Sequence, residues 1–486
     1  MRDRETRAVW AIAAAAVLAR VLMTGGLELY ADEAYYWLWS RRPALGYFDH
    51  PPVVAWLIAL SSAVLHGEIG VRILFVACGG LAVVFAALAA REASDDPRAP
   101  VYAALLAAAA PLLSLTGALA LPDGPVEAAY AGSTWLIARA RGRRWLVAGV
   151  AVGLALLSKY TAALLAPALV LLVLWDRDLR EELRTPWPWT GAAVAIAVFL
   201  PCFLWDASHG FVSLGFQLHH GFRRLPSLET FLEFVGGQVV GPGPVVAVLA
   251  AVLPFAARRP AEKRLAAISL LPILVTTWSA TRGPVEANWT DLAYPGMCAA
   301  AAVVLCRLSA GRALVAASVA LGLALQVAFA VEARSPRLVA PDSPAVERFH
   351  GWREFAVKAK EAASLACGEI GNPPGCDASD PFVYAQDYQY ASELAFYAGW
   401  RRIGPAQNRP TQLDVWADRP PEGSGFLYVG SAGSDPGRIA LGEGQGRTLS
   451  FEVRLGDTRL RIGTVTPFSR FLGLRSRLPW GTQYLR

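Results

Sequence analysis

The stretch WLVAGVAVGLALLSKYTAALLAPALVLLVLW, Trp145 to Trp175, is 31 residues long and is apolar on both sides of its centre. A membrane-spanning helix needs roughly 20 residues, so this stretch is long enough for two short helices that break near SKYT, Ser158 to Thr161. Whether this stretch crosses the membrane once or twice decides the fold, because every later segment changes sides between the two cases.

The whole chain is more apolar than a soluble protein of its size. It has 486 residues, a mean hydropathy of +0.37, 55% hydrophobic residues and only 17% charged residues. This composition indicates an integral membrane protein. The chain has 45 Lys and Arg against 39 Asp and Glu, and the cations cluster in short loops between apolar runs. There the cations are typical of topology signals, and we expect no nucleic-acid partner. The basic start, followed by many further apolar runs, favours an uncleaved first span.

Nine other apolar runs have the length of a span. They are residues 8–29, 71–90, 100–121, 125–140, 189–206, 242–257, 264–281, 289–307 and 312–332. Pro51 to Leu65 is short for a span and begins with Pro-Pro, which favours an interfacial helix. If residues 145–175 cross twice, every Arg-rich loop falls on the side of the N-terminus, which is then cytoplasmic. We therefore expect a polytopic α-helical membrane protein with about 11 spans.

The texture of the sequence changes after about Arg334. His350 to Ala366 has helical periodicity, FVYAQ and FLYVG are typical of short buried strands, and Ser450 to Val465 alternates around a Gly-Asp turn. We expect a transmembrane domain at 1–334, with interfacial helices in the loop 30–70, and a soluble α/β domain at 335–486 on the periplasmic side. Cys367 and Cys376 flank a turn-rich loop there, either as a disulfide or as two free thiols.

Polar residues gather at the non-cytoplasmic ends of the expected spans and in the loops on that side. A charged group at the centre of a membrane helix costs about 2.5–3.5 kcal/mol, so such groups usually mark a polar cavity. The sequence therefore predicts a wet site at the outer membrane surface. Its residues are Asp32, Glu33, Asp49, His50, Asp123, Lys159, His219, His220, Arg223, Glu286 and Asn288.

The acids in this set suit a general base. Asp32 and Glu33, in YADEAYYWLWS (30–40), either begin a solvated helix or supply a carboxylate that deprotonates an acceptor hydroxyl. Tyr35 and Tyr36 follow as rings that could stack on a sugar. Asp49, in GYFDHPP (46–52), belongs either to an ordinary polar turn or to the same catalytic group.

The cations suit an anion such as a phosphate leaving group. The candidates are His50, Lys159, His219, His220, Arg223 and Arg72. Lys159 either reaches to water or binds the anion. A divalent metal held by one of the adjacent histidines and nearby carboxylates is an alternative. Neighbours in an extended loop point apart, so we assign no metal ligands and no certain cofactor.

Two further polar residues have both an ordinary and a functional interpretation. Asp123, in LALPDGP (119–125), either caps a helix or holds an acceptor. Asn288, in EANWTDLAYP (286–295), marks an entry into the membrane close to the site.

Five motifs in order resemble one family. The acidic pair after the first span, GYFDHPPVVAW, LPDGP, GLALLSKYTA and ANWTDLAYP are similar to bacterial members of the GT-C superfamily. These members are related to protein O-mannosyltransferases and to lipid A aminoarabinose transferases. The resemblance covers roughly Val9 to Leu308 and extends to HGWREFA and DYQYASELAFY.

The resemblance implies an inverting glycosyltransferase of the inner membrane that uses a sugar linked to polyprenyl (undecaprenyl) phosphate. Its acceptor would be an envelope glycolipid, polysaccharide or protein on the periplasmic face. Asp32 matches the catalytic acid of the family and Lys159 matches a family lysine. Asp49 and His50 stand where the aminoarabinose transferases have a Glu-Lys pair, so the chain departs from the pattern there.

Two other functions compete with this one. A transporter or flippase of polyprenyl-linked sugars would need charged residues along a path on both faces, whereas these lie on one. A sensor that uses the membrane part as an anchor would not need so many spans.

Overall fold

The structure is a computed structural model that describes residues 3–220, 227–336, 340, 344–377, 379–407, 409–416, 418–434 and 440–474. Its first two thirds are helical, as runs of Ala, Leu and Val favour. The helices are α1 Asp3–Thr24, α2 Ala31–Ser40, α3 Val53–Ser62, α4 Gly67–Ala93, α5 Arg98–Ala109, α6 Pro111–Thr116, α7 Asp123–Ala138, α8 Arg144–Ser158, α9 Leu165–Trp175, α10 Arg177–Glu182, α11 Trp187–Ser208, α12 Val212–His220, α13 Leu228–Val240, α14 Pro244–Ala256, α15 Pro260–Ala280, α16 Tyr294–Leu305 and α17 Gly311–Arg334. Short 3-10 turns at Tyr160–Leu164, Ala287–Trp289 and Asp291–Ala293 connect them.

Within the described residues, four helices are long and apolar enough to cross a membrane on their own. They are α1, α4, α11 and α17. The pair α13 and α14 makes a fifth if it counts as one span, although it bends by 89°. Each of the predicted ranges contains a helix, but several of these helices are short, so the number of about 11 crossings stays a prediction.

The stretch 145–175 breaks where the sequence predicts. Helix α8 ends at Ser158, and Lys159 has extended backbone angles, φ −155° and ψ 136°, before the 3-10 turn and α9. The break leaves a lysine at the point where two apolar helices meet.

Small residues allow the helices to approach closely. A Cβ atom on Gly149 of α8 would lie 2.1 Å from the carbonyl oxygen of Gly191 in α11, so the two backbones touch there. Helix α16 has the sequence YPGMCAAAAVVL, and all of its residues are buried. A helix that is apolar on every side belongs inside a bundle, and α16 lies at the centre of this one.

The last third is an α/β unit. Its helices are α18 Pro344–Glu347, α19 Trp352–Glu369, α20 Tyr388–Tyr397 and α21 Gln412–Trp416. Its strands are β1 Val383–Ala385, β2 Ile403–Pro405, β3 Phe426–Ser431, β4 Ala440–Gln445, β5 Leu449–Leu455 and β6 Thr458–Leu474. The sheet order is β2-β1-β3-β6-β4, and β5 also pairs with β6. The expected helix at 350–366 and the expected strands are confirmed.

Strand direction decides what this unit presents to the helices. Strand β1 runs parallel to β2 and β3, whereas β6 is antiparallel to β3, β4 and β5. Parallel neighbours end at the same edge of a sheet, so the loops after β1 and β2 leave the sheet side by side.

Cys367 and Cys376 form a disulfide. The bond joins the end of α19 to the turn before β1, and it closes the turn-rich loop that the sequence places between the two cysteines. The alternative of two free thiols is therefore wrong.

The α/β unit shares a hydrophobic core with the membrane helices. One cluster contains Tyr35 and Trp39 of α2, Phe75 of α4, and Phe355 and Leu394 of α19 and α20. Large side chains from both parts are buried together, so the α/β unit packs directly on the helices.

A buried ion pair fixes the start of α2. The guanidinium of Arg72, in α4, donates to both carboxylate oxygens of Glu33 at 2.8 and 2.6 Å. Glu33 also accepts from the backbone N–H of Ala120 at 2.8 Å and of Tyr30 at 2.9 Å. Arg72 in turn donates to three backbone carbonyls at the end of α1 and just after it, those of Thr24, Leu27 and Glu28. Both side chains are almost completely buried, so the pair joins α1, α2, α4 and the segment before α7.

Breaking this pair should destabilise the fold strongly. In Arg72→Met, an unpaired carboxylate stays buried, which costs about 3–5 kcal/mol, and we expect a lower midpoint of thermal unfolding for the purified protein. The control Arg353→Met removes an exposed pair with Glu68 and should cost about 1 kcal/mol or less. Equal losses in the two variants would contradict this interpretation.

Candidate functional site

Two adjoining cavities lie between the ends of the helices and the α/β unit. Their volumes are about 610 and 730 Å³. The two cavities share a wall, and this wall contains several of the residues that the sequence singles out. The shared residues are Tyr30, Asp32, Tyr36, His50, Lys159, Glu286, Asn288, Trp289 and Arg348.

Asp32 is half-buried in the first turn of α2 and lines both cavities. Its carboxylate accepts a hydrogen bond from the hydroxyl of Tyr388, at 2.9 Å. Burial raises the pKa of Asp32, while the Tyr388 hydrogen bond and the charge of Arg409 oppose that rise. A carboxylate with a raised pKa at a cavity wall has the properties of a general base.

Glu33 points away from Asp32, because successive helical residues are about 100° apart. It lines neither cavity, and its oxygens are occupied by Arg72 and by two backbone N–H groups. Arg72 likewise lines neither cavity. The contacts of Glu33 and Arg72 are those of scaffold residues, and we do not carry the catalytic or phosphate-binding expectation for them further.

Asp49 and His50 lie in the loop between α2 and α3. Asp49 is buried, accepts from the hydroxyl of Tyr35 at 2.7 Å and pairs with the guanidinium of Arg409. The His50 ring packs against the edge of Tyr36, with 5.9 Å between ring centroids. Asp49 therefore lines the second cavity as part of an ion pair, and His50 lines both cavities.

Lys159 is held by two residues from other helices. Its ammonium donates to Asp123 at 2.7 Å and to the backbone carbonyl of Asn288 at 3.1 Å. The side-chain amide of Asn288 also donates to Asp123, at 3.1 Å. Asp123 is the first residue of α7 and Pro122 is the N-cap, so Asp123 does not occupy the cap position that the sequence suggests. Lys159 and Asp123, which are buried, and Asn288, which is half-buried, form one hydrogen-bonded group at the wall of the first cavity.

Two more acids lie behind this group. Asp291 interacts electrostatically with Asp123 and Lys159, and Glu127 accepts from the hydroxyl of Thr116. Both acids are completely buried.

The aromatic residues of α2 are buried beneath the cavities. Tyr35 and Tyr36 lie 5.8 Å apart between ring centroids, and Tyr36 lines both cavities, whereas Tyr35 lines the second. Sugar stacking on these rings stays a prediction.

The residues predicted around position 220 are only partly described. His219 and His220 end α12, so this part of the chain is helical and the expectation of an extended loop is wrong. Their side chains and the whole of Arg223 lie outside the described residues. In the part of the chain that is described, no three His, Cys, Asp or Glu side chains form a group suited to a metal, and the metal alternative stays untested.

Sequence reasoning missed three polar side chains. Arg348, Tyr388 and Arg409 all come from the last third of the chain, and all line the second cavity. Tyr388 lies in DYQYASELAFY, a stretch that resembles the family, and this resemblance is the signal that could have found it. Nothing in the sequence around Arg409 sets it apart from other surface arginines.

One side of the first cavity is apolar. Leu112, Leu115 and Phe329 line it, and the same three residues line an adjoining apolar cavity of about 240 Å³. This second space lies between α6, α13 and α17, and Val240 and Leu325 complete it. The cavity with the polar wall and this apolar recess are therefore neighbours.

Known proteins match parts of this sequence. Residues 49–205 match the family described as dolichyl-phosphate-mannose-protein mannosyltransferase. An undecaprenyl phosphate-alpha-4-amino-4-deoxy-L-arabinose arabinosyl transferase of Pseudomonas savastanoi is 35% identical over 175 residues, 34% of this chain and 32% of that protein. Lipid A galacturonosyltransferase RgtD of Rhizobium johnstonii is 30% identical over 298 residues, 57% of this chain and 61% of that protein. The chain thus spans less than two thirds of either relative.

The fold matches over nearly the whole length. The crystal structure of ArnT from Cupriavidus metallidurans in the apo state has a TM-score of 0.65 and 16% identity, covering 94% of this chain and 97% of ArnT. The same protein bound to undecaprenyl phosphate gives a TM-score of 0.64. The order of the five motifs, the family match over residues 49–205, the two sequence relatives and this fold together support the resemblance of the chain to the GT-C superfamily of glycosyltransferases.

Proposed function

We propose that this protein is an inverting glycosyltransferase that moves a monosaccharide from undecaprenyl phosphate to lipid A or a related envelope glycolipid. The observation that carries the proposal is the place where Asp32, His50 and Lys159 meet, between a cavity with an apolar side and a more polar one. The names of the sequence relatives support the substrate class.

The first cavity suits the donor. A polyprenyl chain would lie along Leu112, Leu115 and Phe329 and continue into the recess between α6, α13 and α17. Its phosphate would then reach Lys159 and His50 at the polar end. Binding of undecaprenyl phosphate by the structurally similar ArnT supports this placement.

The ammonium of Lys159 is prepared for an anion. Two of its N–H groups are used by Asp123 and Asn288, which leaves a third for a phosphate oxygen. His50 and Arg348 line the same cavity, and His219, His220 or Arg223 would add a further donor. Cations placed where charge develops on the leaving phosphate lower the barrier more than acid catalysis would.

The second cavity suits the acceptor. It contains Asp49, Tyr35 and Arg409 beside Asp32, and its other polar side chains include Gln217 of α12 and Tyr388 of the α/β unit. An acceptor hydroxyl in this cavity would lie next to the Asp32 carboxylate.

The reaction is then a single displacement. The Asp32 carboxylate takes the proton of the acceptor hydroxyl as its oxygen forms a bond to the anomeric carbon. The bond between that carbon and the donor phosphate oxygen breaks, and undecaprenyl phosphate leaves with the bonding electrons. The anomeric centre inverts, because attack and departure occur on opposite sides.

The orientation we propose is a cytoplasmic N-terminus, about 11 spans and a periplasmic domain at 335–486. The Cys367–Cys376 disulfide supports it, since such bonds persist in oxidising compartments. The Arg-rich loops support it as well.

Transfer should depend on Asp32. Purified protein in lipid nanodiscs would be given lipid A with undecaprenyl-phosphate-linked aminoarabinose or galacturonate, and the lipid A mass would be followed by mass spectrometry. We expect Asp32→Asn to lower the rate roughly 10²–10⁴-fold, and Asp418→Asn, in an exposed pair with Arg42, to have no effect. Wild-type turnover by Asp32→Asn would remove this base from the mechanism. Movement of labelled donor across vesicles without transfer would instead support a flippase.

The pH dependence should follow Asp32. The base must be ionised, and burial raises the pKa of Asp32. The rate should therefore fall as the pH drops through that raised pKa, above the value of about 3.9 for a free aspartate. An acid limb at or below this ordinary value would contradict the assignment.

The apolar recess should decide donor affinity. Leu115→Trp would fill the passage between the first cavity and the recess, and we expect undecaprenyl phosphate to bind roughly 10–100-fold more weakly because a few apolar carbons lose their burial. The control Leu323→Trp changes an exposed residue of α17 and should bind normally. Equal affinities in the two variants would place the lipid elsewhere.

Fusions of alkaline phosphatase should report the orientation. Alkaline phosphatase becomes active only in the periplasm. A fusion after Arg334 should therefore be active, and one after Arg141 should be inactive. The reverse pattern would place the cavities on the cytoplasmic face.

A further inference from the structure

The loops after β1 and β2 reach the site together. Strands β1 and β2 are parallel neighbours, with Ala385 paired to Pro405 at their ends. Tyr388 follows β1 as the first residue of α20, and Arg409 follows β2. The sheet therefore presents a phenol and a guanidinium from one edge.

Hydrogen bonds fix these loops to each other. The Asp387 carboxylate accepts from the backbone N–H groups of Gln389 and Tyr390, both at 2.9 Å, and so caps α20. The side chain of Gln407 accepts from the Tyr388 N–H at 3.4 Å and donates to the Arg409 carbonyl at 3.1 Å. These hydrogen bonds fix the backbone at Tyr388 and at Arg409.

The same edge is attached to α2 and to the loop after it. The backbone N–H of Gln412 donates to the Tyr35 hydroxyl at 2.7 Å, and the Gln412 side chain accepts from the Phe48 N–H at 2.8 Å. These contacts place the loops over the two acids of the second cavity.

The two side chains then divide the acids between them. Tyr388 donates to Asp32 at 2.9 Å, and Arg409 pairs with Asp49. The guanidinium of Arg409 also lies over the Tyr388 ring, 5.0 Å from its centroid. Among the described residues, the hydrogen bond to the Asp32 carboxylate comes from Tyr388.

We propose that Tyr388 is a positioning residue, which holds the Asp32 carboxylate toward the acceptor while Arg409 holds Asp49 away from it, so that the α/β unit completes the catalytic site. This inference rests on the proposed function of Asp32.

The surroundings of Asp32 favour this role. The charged and titratable groups that face it or line the same cavity are Tyr30, Tyr35, Tyr36, Asp49, His50, Lys159, Tyr160, Glu286, Arg348, Tyr388 and Arg409. Burial and the nearby Asp32 raise the pKa of Tyr388 well above its ordinary value, so its phenol keeps its proton and donates. Without Arg409, the carboxylate of Asp49 would repel that of Asp32.

Tyr397 provides a matched control for docking. It lies on the same helix, accepts from the Leu29 N–H at 2.9 Å and donates to Glu68 at 3.0 Å. It therefore joins the α/β unit to the membrane helices without lining either cavity. Loss of docking alone should affect Tyr397→Phe at least as much as Tyr388→Phe.

The test compares the rate and the pH profile of wild type, Tyr388→Phe, Tyr397→Phe and Asp32→Asn in the nanodisc assay. We expect Tyr388→Phe to lose roughly tenfold in kcat near neutral pH and to shift its acid limb upward by about one pH unit, because a hydrogen bond to the ionised carboxylate is lost. Its affinity for undecaprenyl phosphate should stay normal. Tyr397→Phe should keep the wild-type pH profile.

The outcomes separate this inference from the proposed function. An active Asp32→Asn enzyme overturns the base itself. If Asp32→Asn is inactive and Tyr388→Phe has the wild-type rate and profile, only the positioning role is overturned. A loss in Tyr388→Phe that is uniform with pH and equal to that of Tyr397→Phe also overturns it, since docking alone would explain it.

Arg409 gives an independent arm. Arg409→Lys keeps a charge beside Asp49 and should retain more activity than Arg409→Gln, whose acid limb should move upward because Asp49 repels Asp32. Equal activities and unchanged profiles in the two variants would overturn the part assigned to Arg409.

Discussion

The site depends on the buried pair of Glu33 and Arg72. Removing two charges from water is costly, and the pair repays that cost only because every oxygen and almost every N–H group has a partner. The partners come from the end of α1, from α4 and from the segment before α7. The direction of α2 is set by this network, and the cavity wall follows from the direction of α2.

Adjacent carboxylates therefore have opposite tasks. A helix turns by about 100° per residue, so Asp32 faces the cavities while Glu33 faces the scaffold. Lys159 is placed in a similar way, because the break between two apolar helices brings its ammonium next to Asp123 and to the cavity. In each case a polar residue at the end of a helix is held by protein on one side and open to a cavity on the other.

Local patterns predicted much of this. The break at Lys159, the strands of the α/β unit and the gathering of Asp32, His50, Lys159, Asp123 and Asn288 at one wall all follow from periodicity and topology. The roles of Glu33 and Arg72 could not be predicted, because their partners are distant in sequence. Arg409 was missed for the same reason, since a sheet edge brings it to the acids and no nearby residue signals it, whereas Tyr388 lies in a family-like motif that did not reveal its partner.

The bond between Asp32 and Tyr388 spans 356 residues of chain. Ribosomes release residue 32 long before residue 388, so the wall of the second cavity stays open until synthesis is nearly complete. A chain that ends before residue 388 would therefore lack the hydrogen bond from Tyr388 to the Asp32 carboxylate. Under the proposed function, transfer activity would therefore be expected only once the α/β unit has been made and has packed against the helices.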